Sequence, residues 1–137
     1  MQSLNFEEAL KKIVAVDPRY HRDAYIFLRE ALDYTQRVVG PRRDEKHVSG
    51  KELLDGIRQY ALKEFGPMAA TVLAEWGVHA CEDFGELVFN MIEYNLLAKT
   101  DTDTREDFKG GYDFIDAFSK PFIPTRALPA EQKSLQF

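Results

Sequence analysis

Apolar and polar residues recur with a helical period along most of the chain, and the agreement is best over residues 48–97. Ser49 and Glu52 make an S-x-x-E capping box, with Val48 placed to staple onto Leu53, which predicts a helix start near Gly50. Leu53, Leu54, Ile57, Tyr60, Ala61 and Phe65 then fall on one arc until Gly66 and Pro67 end the helix. A short second helix follows over residues 68–76 and Gly77 closes it. After Val78, His79 and Ala80, a third helix turns Phe84, Leu87, Val88, Met91 and Ile92 inward, with Asn95 as a left-handed stop.

Upstream, Asn5 and Glu8 form a weaker capping signature, and Phe6, Ala9, Leu10, Ile13 and Val14 line one face of a short amphipathic helix that reaches Val16. Asp17 before Pro18 reads as an N-cap with proline at the first helical position, so a long helix is expected from Pro18 to Val39, stopped by Gly40 and Pro41. Its apolar arc, from Tyr20 and Ala24 through Phe27, Leu28 and Ala31 to Val39, is wide enough to pack on two neighbours. Those neighbours are the first helix and the three-helix unit.

Downstream, residues 96–99 read as a short strand, and residues 108–114, with Gly110 and Gly111, supply a second, making a hairpin-like wing. Residues 112–118 fit the start of a helix nearly as well, and spacing alone does not separate the two. Pro121, Pro124 and Pro129 forbid a continuous element from Ser119 onward, so residues 119–137 are expected to be an extended or disordered tail, held at most by Phe122 and Ile123. The expected fold is therefore mainly α with a small β component. Two N-terminal helices (1–40) pack on a winged-helix-like unit (48–118) within one globular domain, 1–118.

Composition agrees with one such domain. A chain of 137 residues, 45% hydrophobic and 30% charged, with ten Phe and six Tyr, can bury roughly two thirds of its unfolded surface. The formal charge of −5 argues against general affinity for phosphate backbones or anionic lipid. A single cysteine excludes an internal disulfide. The opening MQSLNFEEALKK lacks the apolar stretch of a signal peptide, and no run approaches the ~20 apolar residues of a membrane span, so the expected location is the cytoplasm.

The blocks YHRDAYIFLREAL (residues 20–32), residues 47–78, DFGELVFNMIEYNLL (residues 83–97), and Asp107-Phe108 with Tyr112-Asp113-Phe114 resemble a family of conserved hypothetical proteins from planctomycete, verrucomicrobial and related bacterial genomes. The resemblance covers nearly the whole expected folded part. It implies a compact bacterial domain and transfers no catalytic or binding residue.

A winged helix would place its third helix in the DNA major groove. Here the outward stripe of that helix is Glu82, Glu86, Phe89, Asn90 and Glu93, and no Lys or Arg occurs between Lys63 and Lys99. Carboxylates facing phosphates repel them, so nucleic acid is not the expected partner. An aromatic amid acids is either covered by the N-terminal helices or anchors a partner, which makes Glu82, Glu86, Phe89 and Glu93 the candidate partner-binding residues. The expected partner is another protein, a second copy of this chain included, and no membrane is expected. A DNA-binding regulator using Arg42, Arg43 and Lys46 or the wing is the second reading. The third is a small enzyme built on His47, His79 and Cys81.

No cofactor or metal is expected. His79 and Cys81 are separated by one residue, unlike the C-x2–4-C and H-x3–5-H spacings of zinc sites. The acidic run Asp101, Asp103, Glu106, Asp107 puts Arg105 at the third ligand position of a calcium loop and Glu106 where its glycine belongs. Cys81 near a helix start has the dipole in its favour as a thiolate and Glu82 and Asp83 against it.

Overall fold

The computed structural model describes residues 5–39, 48–97 and 105–122. Five α-helices carry the fold: α1 (Phe6–Val16), α2 (Arg22–Val39), α3 (Gly50–Phe65), α4 (Ala69–Glu75) and α5 (Cys81–Glu93). The protein is mainly α, and among the described residues there is no strand. No helix among them is long and apolar enough to cross a membrane.

The starts and stops follow side-chain chemistry. Asn5 Oδ1 accepts from the Glu8 amide at 2.8 Å and opens α1. At α3 the reciprocal box forms in full: Ser49 Oγ accepts from the Glu52 amide at 3.1 Å, and Glu52 Oε1 accepts from the Ser49 amide at 2.9 Å. Gly66, at φ 53°, ends α3, and a 3-10 turn over Gly66–Met68 leads into α4. Asn95 takes φ 62° beyond α5, with the Leu96 amide bonded to the Met91 carbonyl at 2.8 Å, the left-handed stop expected there.

The second helix begins later than Asp17-Pro18 implies. Asp17 closes α1 through its amide bond to the Ile13 carbonyl, and its carboxylate is taken by Arg19, so it is not available to cap α2. Residues 18–20 form a turn, and His21 Nδ1 accepts from the Asp23 amide at 3.0 Å at the start of α2.

Among the described residues the expected wing does not form. Residues 108–114, expected as its second strand, hold no strand and are flanked by helical turns: a 3-10 turn over Arg105–Phe108, a π turn over Ile115–Ser119 and a 3-10 turn over Lys120–Phe122, in keeping with the alternative helical reading of residues 112–118. Asp113 decides the outcome, because its Oδ2 accepts from the amides of Ile115 and Asp116 at 3.0 and 3.2 Å, an N-cap that a strand cannot use. The rings of Phe114 and Phe118 meet edge-on at 5.0 Å, and Phe114 lies 5.8 Å from Phe84 of α5. The tail is likewise helical as far as Phe122; residues 98–104 and 123–137, which carry the rest of the strand and tail expectations, lie outside the described residues.

One buried cluster collects side chains from every helix, from Leu10 in α1 to Phe118, with Tyr25, Leu28, Ile57, Leu73, Phe84 and Met91 almost fully enclosed. Each such side chain contributes about 1.5–3 kcal/mol through burial. The most extensive contact is between α2 and α3. There a Cβ on Gly56 would stand 1.7 Å from Thr35 Oγ1, so only glycine permits the approach, while the Thr35 hydroxyl is satisfied by the Ala31 carbonyl at 2.7 Å. Phe27 of α2 packs against Tyr60 and Phe65 of α3 and against Trp76 beyond α4, at centroid distances of 5.6 to 5.7 Å.

A second tight junction fixes the link between α1 and α2. The His21 amide donates to the Trp76 carbonyl at 3.0 Å, and Gly77 holds φ 92° with the space a Cβ would need filled by the Arg19 carbonyl, 2.2 Å away. The turn after α4 thereby pins residues 19–21, and Arg19 is carried to the edge of α5.

Candidate functional site

The acidic stripe of α5 comes out as one face, but it is not bare. Arg19 Nη2 reaches Glu86 Oε1 at 3.2 Å, and Arg105 Nε reaches Glu86 Oε2 at 3.2 Å, so two guanidinium groups share one carboxylate. Arg105 also lies over the ring of Phe89, 4.8 Å from its centroid. Phe89 is half-buried against the core cluster, with this cation as its outer cover. Glu82 Oε2 accepts from the Gly110 amide at 3.4 Å, and Glu93 is exposed at the C-terminal end of α5. The four candidate residues thus share the helix, yet Glu86 and Phe89 are engaged within the chain. Sequence reading missed this because both cations come from outside the interval 63–99 that holds α5.

Behind Glu86 the network goes deeper. Arg19 grips Asp17 with two bonds, Nε to Oδ1 at 2.8 Å and Nη2 to Oδ2 at 2.7 Å. Asn90 Nδ2 donates to Asp17 Oδ2 at 3.0 Å and to the Tyr25 hydroxyl at 3.1 Å. Arg19, and to a lesser degree Asn90, hold the Asp17 carboxyl far below the usual carboxylate range against the opposing effect of burial. Tyr20 donates to Asp83 Oδ1 at 2.6 Å, while Asp83 Oδ2 accepts from the amides of His79 and Ala80 at the start of α5. Burial, reinforced by Asp83, pushes the Tyr20 phenol above its ordinary range, which keeps it protonated.

Of the residues of the enzyme reading, Cys81 is not poised for chemistry. Cys81 is 1% exposed, its Sγ donates to the Tyr112 carbonyl at 3.5 Å, and burial pushes the thiol up, away from the reactive thiolate. His79 is exposed on the turn before it. His47, with Arg42, Arg43 and Lys46 of the regulator reading, lies outside the described residues, as do Asp101 and Asp103. Among the described residues no three His, Cys, Asp or Glu side chains are grouped to hold a metal ion.

The α1–α2 link also lines a cleft of about 660 Å3. Leu10, Val14, Ala15, Pro18 and Tyr20 form its apolar floor; Lys11, Arg19 and Arg22 stand around it with Glu75 and His21. Val16, in the same turn of α1, is 73% exposed, the most exposed large hydrophobic among the described residues. No family model matches the chain, and no curated protein or solved structure does. The geometry of the chain itself is therefore the ground for a functional reading.

A signal for the cleft was present in the sequence. Val14, Ala15 and Val16 are three successive apolar residues at the end of α1; Val14 packs partly against the core, while Ala15, which lines the cleft, stays exposed and is more than the inward face needs. A second cleft of about 480 Å3, lined by Phe6, Ile26, Arg29, Asp33 and Tyr60 among others, is already occupied by its own contacts. Arg29 lies over Phe6 at 4.3 Å, Arg37 pairs with Asp33 at 3.0 Å, and the Tyr60 hydroxyl meets Glu30 at 3.3 Å.

Proposed function

We propose that this chain is a small non-enzymatic protein-interaction module of the bacterial cytoplasm, and that it meets its partner at the cleft between α1 and the start of α2. The observation that carries the reading is the set of apolar cleft residues that keep contact with solvent, Val14 in part and Ala15 and Pro18 openly, over a deeper lining in which Leu10 and Tyr20 are buried. Apolar surface of this kind, rimmed by polar groups, is what a protein partner removes from water. The candidate stripe Glu82, Glu86, Phe89 and Glu93 becomes on this reading the rear wall of the same link, bracing Arg19 rather than receiving the partner. The family resemblance supplies the bacterial setting.

The test places a photo-crosslinking amino acid at Ala15 and, separately, at Glu93 in the native cell. A discrete adduct from residue 15 is expected and none from residue 93. An adduct from residue 93 alone would return the partner to α5, and no adduct from either would end the interaction reading.

The order of α3, α4 and α5 keeps alive the DNA regulator as a second reading, because a winged helix uses the same succession. On the proposed function, duplex DNA binds no tighter than the weak non-specific range, about 1 to 100 µM, at physiological salt. Sub-micromolar retention in a gel-shift would reverse the ranking.

A further inference from the structure

We infer that residues 105–122 form a strap that lifts off α3 and α5 as a unit while the rest of the fold stays intact, baring Cys81 and the α5 stripe. Cohesion is the first ground. Within the strap Tyr112, Phe114 and Phe118 pack on one another, with ring centroids 5.0 to 6.2 Å apart, and Asp113 caps the turn that follows it. Attachment is the second. Only Phe108, Ala117 and Phe118 of the strap are buried, whereas α5, thirteen residues long, buries six. A segment held by so few buried side chains is the kind that opens at a lower free energy than the whole domain.

The anchors are specific. Phe108 sits in a slot between α3 and α5, where a Cβ on Gly50 or Gly85 would come within 3.3 or 3.1 Å of it. The Tyr112 hydroxyl donates to the Leu54 carbonyl at 2.9 Å, and Arg105 holds Glu86 at 3.2 Å in an exposed pair. Beneath the strap lies the thiol: Cys81 Sγ meets the Tyr112 carbonyl at 3.5 Å, and a Cβ on Gly111 would stand 3.1 Å from the same sulfur. Lifting the strap therefore uncovers Cys81, and it frees Glu82 from Gly110 and both Glu86 and the Phe89 ring from Arg105.

The experiment follows the labelling of Cys81 by a disulfide reagent in the full chain, under conditions where the rate is proportional to reagent concentration and so counts the open fraction. Below the unfolding transition, the urea dependence of that rate is expected to be less than about half the slope of the equilibrium melt, because lifting the strap exposes only part of the surface that unfolding does. Tyr112→Phe, which deletes the bond to Leu54, should speed labelling about two- to tenfold, and Arg105→Gln about two- to fivefold. Gly56→Ala, which acts at the α2–α3 crossing, should lower global stability and leave the labelling rate within about twofold. A urea slope equal to that of the melt, or labelling that Gly56→Ala accelerates as far as it raises the unfolded fraction, overturns the strap, since Cys81 is then reached only by global unfolding. A shallow slope with rates that neither Tyr112→Phe nor Arg105→Gln moves overturns it as well, because the opening then lies outside residues 105–122.

Discussion

Arg19 and Glu86 lie 67 residues apart in the chain and 3.2 Å apart in the fold, and the same guanidinium closes a two-bond ring with Asp17. The α1–α2 link is thus tied electrostatically to α5, and the tie is strongest at Asp17. Asp17 is mostly enclosed, its side chain 14% exposed, and accepts from both Arg19 and Asn90.

Asp17→Asn should lower stability by about 2 kcal/mol at neutral pH, the scale of a hydrogen-bonded charge. The native carboxyl titrates below its unfolded counterpart, so its contribution is complete above the unfolded value of about 4 and is lost as pH falls from there toward the native one. Urea melts of both chains should therefore converge below about pH 4. A gap that stays constant down to the acid limit would mean Asp17 is not held ionised by the fold.

Gly56→Ala should destabilise by about 1 to 3 kcal/mol, since a methyl group there collides with Thr35 at the α2–α3 crossing. Thr35→Ala in the same chain removes Oγ1 and Cγ2 but leaves Cβ, so it should recover part of the loss and not all. Strict additivity in the double-mutant cycle would show that the two helices do not touch at this point.

Phe89→Ala should cost about 2 kcal/mol, visibly less than the roughly 3 to 5 kcal/mol expected for Phe84→Ala, whose ring is wholly enclosed. The comparison by thermal melting separates a half-covered ring from a central one. Equal losses would mean that Arg105 and the core enclose Phe89 completely.

The Cys81 thiol should react with a disulfide reagent only slowly in the native protein and within the mixing time after denaturation, because it is buried and protonated. Prompt stoichiometric labelling of the folded chain would place it at the surface.

The helices were legible from sequence wherever a cap and a period coincided. Ser49 with Glu52, Gly66, Gly77 and Asn95 all act as their residue types imply. The failures have a common cause. Asp17 and Asp113 are both good N-cap residues, but Asp17 is captured by an arginine two positions on, and Asp113 caps a turn in a stretch where spacing left strand and helix open. Local pattern cannot weigh a cap against a competing charge. The pairing of Glu86 on the α5 stripe with Arg19 and Arg105 was invisible because those partners arrive through tertiary packing. The cleft was hinted at only by Ala15, an apolar residue that the inward face of α1 does not use.

Trp76 is the sole tryptophan, wedged against Phe27 and Phe65, and its carbonyl receives the His21 amide. The protein accordingly carries its own optical gauge at the seam where α2, α3 and α4 meet, one residue from Glu75 at the mouth of the cleft. Occupancy of that cleft can be followed in the unlabelled chain by the emission of a single indole.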